Sequence, residues 1–289
     1  MMYKKTAALV LSAMLLSACG AGGEAGKDKG EETKNAVETA KEQGSSDAEE
    51  AVESGEASGS DIEETGSKEE QPAETEGKEP LYRINENNWT IEPLADANKK
   101  VVLLTIDDAP DKHAVEMAKT LHQLGVSAIF FVNGHFLDTP EEEEKLKEIH
   151  NLGFPIGNHT YSHSNLKEIT PAQQKEEVLK LNKRVEEIIG EKPRFFRAPF
   201  GINTDASREA AAAEGMELMN WTYGYDWEKD YQNKEALTDI MVNSPYLTDG
   251  ANLLMHDRDW TNAALEGIVK GLQAKGYEIA DPDRIQTAL

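Results

Sequence analysis

From Val101 onward the chain alternates between short apolar runs and longer amphipathic segments. The runs are 101–107, 128–133, 154–159, 195–199, 217–223, 252–256 and 277–280. Between them, 112–124, 140–152, 171–189, 205–214, 234–243 and 261–275 carry their apolar residues at helical spacing. Short strands separated by helices of this length predict βαβ units and a parallel sheet. Gly125, Gly153, Gly190, Gly215 and Gly276 each follow a helical run, where a left-handed cap is wanted. Seven strands and six helices fit either an open doubly wound sheet or a barrel.

Polar residues decide which end of that sheet matters. Asp107 and Asp108 close the first run, His159 the third and His256 the sixth, while Arg197 sits in the fourth and Asp226 follows the fifth. Parallel α/β folds build their sites at strand C-termini. Capping and loop chemistry would scatter such residues over both ends, so the pattern predicts an enzyme.

The chain before Val101 differs in kind. Lys4 and Lys5 precede an apolar run over 6–16, shorter than the roughly 20 residues a membrane span needs and of the length of a signal-peptide core. Leu16-Ser17-Ala18-Cys19 resembles the lipobox of bacterial lipoproteins. That resemblance implies a signal peptide over 1–18, cleavage before Cys19 and a diacylglycerol on its thiol. The two acyl chains would hold the protein at the outer face of the cell membrane, where a single chain binds only marginally. Cys19 is also the only cysteine, which excludes an intrachain disulfide and any Cys-based zinc site.

Residues 20–80 contain 19 acidic and 6 basic side chains and no aromatic, so they hold about half of the net charge of −24. Such a composition cannot offset the entropy of ordering. Residues 19–80 are therefore expected to be a lipidated cysteine and a disordered acidic linker, with a root-mean-square span of about 45 Å. Residues 81–289 make one globular domain, with 81–100 expected as a short flap or an added strand. The domain carries 35 acidic against 22 basic residues, which argues against nucleic acid as a partner. The sequence is silent on oligomeric state, and a monomer is the working expectation.

Asp107 and Asp108 would point apart in a continuing strand and so can hold different roles. Like charges this close need a cation or an arginine to offset them; taken alone, Asp108 or Asp111 also suits the N-cap of the following helix. His159 and His163, four apart, share a face if the segment turns helically, a spacing that suits one metal ion. With a carboxylate they make a His-His-Asp site that suits zinc and tolerates cobalt, iron or manganese. His113, His122, His135 and His150 read as structural or exposed. Arg197 stands beside a Pro-aromatic-Gly turn. Trp227, after Asp226, is either a sugar-stacking indole or a core residue. His256 ends an apolar strand, which fits a general acid in a partly dry site.

These five segments, in this order, resemble the motifs of the polysaccharide deacetylases, the NodB-like carbohydrate esterases, across about 101–277. The resemblance implies a distorted (β/α) barrel of about seven parallel strands. It implies Asp107 as general base, Asp108, His159 and His163 as metal ligands, and Arg197 as the residue that orients Asp107. The Phe200 backbone N–H would help hold the oxyanion. Asp226 would support His256 as general acid, and Trp227 and Leu254 would line a pocket for the acetyl methyl. The implied activity is that of a hydrolase acting on carbon–nitrogen bonds outside peptides. It would remove acetyl groups from an N-acetylated polysaccharide with the help of a divalent metal, zinc first. The lipid anchor favours a polymer at the cell's own surface, peptidoglycan N-acetylglucosamine.

The sequence departs from the family pattern at three places. Ala109 stands where the first motif usually ends in glycine; a positive φ there would strain the loop, and any other φ makes the change harmless. Phe200 replaces a more usual tyrosine, and Tyr223-Gly224-Tyr225 lacks the acidic residue often found earlier in the fourth motif. Two other readings stay open: an esterase acting on O-acetyl groups such as those of acetylated xylan, and a non-catalytic wall-binding lipoprotein.

Overall fold

The structure, a computed structural model, describes residues 78–287. The expectations for the signal peptide, for Cys19 and for nearly all of the linker fall on residues 1–77, outside the described residues. Two short strands come first, β1 (Tyr82–Ile84) and β2 (Ile91–Pro93), paired antiparallel. The alternating pattern then follows: β3 (Val101–Ala109), α1 (Ala114–Gln123), β4 (Ile129–Val132), α2 (Pro140–Asn151), β5 (Ile156–Asn158), α3 (Pro171–Ile189) and β6 (Phe195–Phe196). It continues with α4 (Asp205–Ala213), β7 (Glu217–Leu218), α5 (Lys234–Asn243), β8 (Ala251–His256), α6 (Asp259–Ala274) and β9 (Glu278–Ile279). Seven strands, β3 to β9, and six helices match the expected succession.

All seven strands pair in parallel, in the order β7-β6-β5-β4-β3-β8, with β9 on β3 below β4. The expected strand over 217–223 is split. Glu217 and Leu218 pair with β6, whereas Thr222 and Tyr223 bond to Asn252 in β8 and Tyr223 bridges Leu253. The sheet thus curls into the expected distorted barrel, joined between β7 and β8 by an isolated bridge instead of a continuous ladder.

Helix starts follow local chemistry. Thr139 and Thr170 cap α2 and α3 in reciprocal capping boxes with Glu142 and Gln173, each with proline at the first turn. The five glycines expected as caps all have φ between 67° and 88°. The helices bury one face each against the outside of the sheet, with Met117, Leu121, Leu146, Ile149, Leu181, Leu265 and Ile268 in one cluster with Val102, Leu104 and Ile106.

Strand alternation sends the other β3 residues inward. Val101 and Leu103 join Ile129, Phe131, Phe195 and Met219 in a second cluster that fills the barrel's lower half. Residues 81–100, expected as a flap or added strand, form a hairpin that plugs this cluster from beneath with Tyr82, Ile84 and Ile91. The hairpin is tied down by bonds from Leu81 to Arg284, from Gln286 to Tyr82 and from Ile91 to the Gly250 carbonyl. Thr105 and Asp107 continue the same inward row above the apolar fill, so the strand that supplies the core at one end supplies the site at the other.

Gly250 has φ +78, and a Cβ there would lie 2.1 Å from the Ile91 carbonyl oxygen; at Gly153, with φ +88, a Cβ would meet nothing within 4 Å. Gly153→Ala should therefore cost about 1 kcal/mol, and Gly250→Ala should add a clash and cost about 2–3 kcal/mol. Urea denaturation of the two variants side by side checks this, and equal losses would mean that the hairpin yields freely.

Candidate active site

The inward row of β3 ends at Asp107, which is buried with Arg197. The Arg197 guanidinium donates to Asp107 Oδ1 at 2.6 Å and to Thr105 Oγ1 at 2.8 Å. It also donates to the Asn220 carbonyl at 2.9 Å and lies over the Phe131 ring, 4.2 Å from its centroid. Burial lowers the Arg197 pKa, and the adjoining Asp107 charge opposes that shift. Thr105 and Asn252 also contact this arginine. They were missed in the sequence, yet alternation puts Thr105 on the face of Asp107 and Asn252 on the face of His256.

The two aspartates do not point apart. Asp108 has φ 63°, and the β3–β4 register shifts between Ile106 and Ala109. This bulge turns Asp108 back, so that Asp107 Oδ2 and Asp108 Oδ1 lie 3.5 and 3.9 Å from His159 Nε2. Ala109 has no positive φ and is fully buried, so alanine is accommodated there and the left-handed residue is its neighbour.

His159 and His163 do converge, with ring centroids 4.9 Å apart, but not through a helix. The segment is irregular, and Thr160 (φ 68°) and His163 (φ 56°) make the turn. Asp108, His159 and His163 bring one donor atom each to within 4.8 Å of one another. His159 Nδ1 is 2.7 Å from the Arg197 carbonyl. A carbonyl can only accept, so Nδ1 carries a proton and Nε2 is the nitrogen turned to the carboxylates, free to serve as a donor atom to a cation between them. Burial, with the neighbouring His159, pulls His163 down to about 4 against the charges of Asp108 and Asp107. It is neutral at neutral pH, as a ligand must be. Burial pushes the Asp108 carboxyl up, but His159, His256, His163 and Arg258 outweigh it and hold the group below its ordinary range. The donor set fits a divalent metal ion.

Opposite stands His256, whose Nδ1 donates to Asp226 Oδ1 at 2.7 Å, leaving Nε2 to the cleft. The other Asp226 oxygen accepts from the His256 backbone at 2.6 Å and from Thr261 at 2.8 Å. Burial disfavours the imidazolium, but the bond to Asp226 and the charges of Asp226, Asp107 and Asp108 outweigh it and raise the His256 pKa above 6.5. Trp227 is 45% exposed and stands edge-on to His256, so it is a wall of the cleft and not a core residue. Leu254 and Trp221 complete that wall, and Phe200, packed against His163 with φ 60°, forms the far side of a cleft of about 450 Å³. Tyr223 buries its hydroxyl on the Met241 carbonyl.

Neither Asp108 nor Asp111 caps α1. Asp257, which the sequence did not single out for a role, accepts from the backbone N–H groups of Lys112, His113 and Ala114 at 2.8, 2.5 and 3.1 Å. Its own N–H donates to the Asp107 carbonyl. The four histidines read as structural or exposed lie outside the cleft lining.

Because Arg197 and Asp107 are both buried, removing one partner strands the other's charge. Arg197→Met is expected to lower stability by about 3–5 kcal/mol, read from the urea midpoint at unchanged slope. A loss below about 1 kcal/mol would mean that water reaches Asp107.

A family model described as polysaccharide deacetylase matches residues 95–219. A peptidoglycan-N-acetylglucosamine deacetylase of Bacillus cereus is 28% identical over 203 residues, 66% of this chain and 70% of its own. The uncharacterized protein YlxY of Bacillus subtilis is 29% identical over 203 residues, 70% of this chain, and the chain spans only 58% of its length. Among solved structures, a CE4 family pseudoenzyme from Bacillus anthracis superposes with a TM-score of 0.58 at 27% identity, over 65% of this chain and 67% of its own. A mutant of that protein is described as having restored enzymatic activity. Motif order, strand succession and relatives point the same way, to a polysaccharide deacetylase domain that includes residues 95–219.

Proposed function

We propose that this chain hydrolyses acetyl groups from an N-acetylated glycan, with peptidoglycan N-acetylglucosamine as its substrate and zinc at Asp108, His159 and His163. The observation that carries the reading is a pair of oppositely equipped groups on one cleft: Asp107 held by Arg197, and His256 held by Asp226. Donors of two imidazole nitrogens and one carboxylate suit zinc, with cobalt, iron and manganese as alternatives. When bound, the ion supplies Lewis-acid chemistry, making water a better nucleophile at neutral pH and drawing charge from the carbonyl.

The protein's own groups handle the protons. Asp107 accepts a proton from the attacking water as its oxygen bonds to the acetamide carbon. Arg197 holds that carboxylate in place at the cleft through the bond to Oδ1. The Phe200 N–H is offered to the developing oxyanion, a kind of donor worth roughly 3–4 kcal/mol elsewhere. His256 gives its Nε2 proton to the leaving nitrogen as the carbon–nitrogen bond breaks, since an amide nitrogen leaves poorly unprotonated. Acetate and a free sugar amine result. Trp227 and Leu254 bound the space for the acetyl methyl.

The Bacillus cereus relative, a peptidoglycan-N-acetylglucosamine deacetylase, and the lipobox-like Leu16–Cys19 segment support a wall polymer as substrate, acted on from the outer face of the cell membrane. The pseudoenzyme relative keeps a non-catalytic reading in view. The presence of Asp107 and His256 together, and the absence of a positive φ at Ala109, weigh against it.

The test is acetate release from chitin oligomers, peptidoglycan and acetylated xylan, with and without chelator. Chelator-sensitive release is expected from the N-acetylated glycans, lowered about 10²–10⁴-fold in Asp107→Asn and in His256→Ala. Release from xylan alone would replace the amidase reading with an esterase, and no release by metal-loaded protein would sink both.

The pH profile has a definite sign. His256 works as the imidazolium, so kcat/KM should fall as pH rises through a pKa above 6.5, and that alkaline limb should vanish in His256→Ala. A limb unchanged in the variant would assign the acid to another group.

A further inference from the structure

Arg258 lies two residues beyond His256, at the start of α6, and its guanidinium lines the cleft. It donates to Asp108 Oδ2 at 2.7 Å and to the Asp257 carbonyl at 3.0 Å, with Asp111 3.8 Å away. The two oxygens of Asp108 are thereby divided. Oδ2 belongs to Arg258, and Oδ1 faces His163 Nε2 at 3.5 Å and His159 Nε2 at 3.9 Å.

We propose that Arg258 is a positioning residue for metal capture, presenting Asp108 through Oδ1 alone. The inference rests on the reading of Asp108, His159 and His163 as the metal site. Asp108 rides on a left-handed residue at a strand bulge, and in that bulge the outer contact of its side chain is the bond to Arg258. The guanidinium is itself on a firm base, because Asp257 is held by three N–H groups at the start of α1. An arginine suits the task because it binds two acceptors at once in a fixed fork, here a carboxylate oxygen and a carbonyl. With Oδ2 occupied, the carboxylate cannot close on an ion with both oxygens, which leaves more positions for water and the substrate carbonyl.

Two effects oppose each other. A cation beside a dication site repels the ion, and a fixed carboxylate attracts it. The guanidinium is a third exposed, so solvent screens the repulsion. Losing a group that orients a ligand typically costs about 10–100-fold in affinity, so orientation wins.

The experiment is Co²⁺ and Zn²⁺ binding to the metal-free full chain at fixed pH, by competition with a chelating dye and by the visible spectrum of bound Co²⁺. Circular dichroism checks the fold of each variant. Wild type should bind, and His159→Ala and His163→Ala should not; failure of that arm overturns the metal reading itself. Arg258→Met should bind about tenfold or more weakly, with an altered Co²⁺ spectrum. Arg258→Lys, which keeps a cationic donor but loses the fork, should recover part of the affinity. Wild-type or tighter binding by Arg258→Met overturns the inference while leaving the metal site standing, and so does a lysine variant no better than methionine.

Discussion

The buried pair of Arg197 and Asp107 is the constraint around which the rest is arranged. Taking two charges out of water costs several kcal/mol each, and only excellent geometry with every remaining donor served recovers it. The barrel meets most of that demand from four sides, with the buried Arg197 Nε left without a partner among the described residues. β3 brings Thr105 and Asp107, the segment after β6 brings Arg197, the segment after β7 brings the Asn220 carbonyl, and β8 brings Asn252. Phe131 closes the floor beneath the guanidinium. A flat sheet could not bring these groups together, so the curl of the sheet and the closure by Tyr223 are requirements of this ion pair as much as of apolar packing.

Around the pair, strain has gathered. Of the six non-glycine residues with positive φ among the described residues, four are Asp108, Thr160, His163 and Phe200, all at the cleft or supporting it. Each such residue costs of order 1–3 kcal/mol and persists only where its surroundings insist on it. Here they do. Asn158 accepts from the Thr160 N–H while its own amide is fixed by Val178 and Asn182 of α3. Glu177, also on α3, accepts from the Ser162 N–H and hydroxyl. The longest helix of the described residues thus holds the histidine loop in a shape that the loop's own preferences do not favour.

What was legible in the sequence divides along the same line. Periodicity, Thr-Pro starts and cap glycines identified all six helices and seven parallel strands, because these depend on short stretches of chain. The polar residues at strand ends marked the cleft, because alternation and strand direction leave them nowhere else to go. The backbone of the site was not legible. Helical spacing suggested how His159 and His163 meet, but two left-handed residues do the work. Strand continuity suggested that Asp107 and Asp108 diverge, and a bulge brings them together. Asp257 and Arg258 escaped notice because their partners lie about 145 residues away, on α1 and at the end of β3. A flap or added strand over 81–100 was legible, but where it docks escaped for the same reason, since what it covers is assembled from β3, β4, β6 and the segments after β7 and β9.

That hairpin also fixes how the domain is loaded. The described chain enters at Lys78, ion-paired to Asp281, and bonds at once to the last turn near Arg284 through Leu81. Both ends of the described chain therefore meet at the foot of the barrel, opposite the strand ends that carry the cleft. A force applied through the residues before Lys78 is resisted first by the β1–β2 pair and its bridge from Tyr82 to Ile285. Traction of that kind would load the plug before any strand bearing a charged group of the cleft, so the rim is mechanically insulated from a pull at that end.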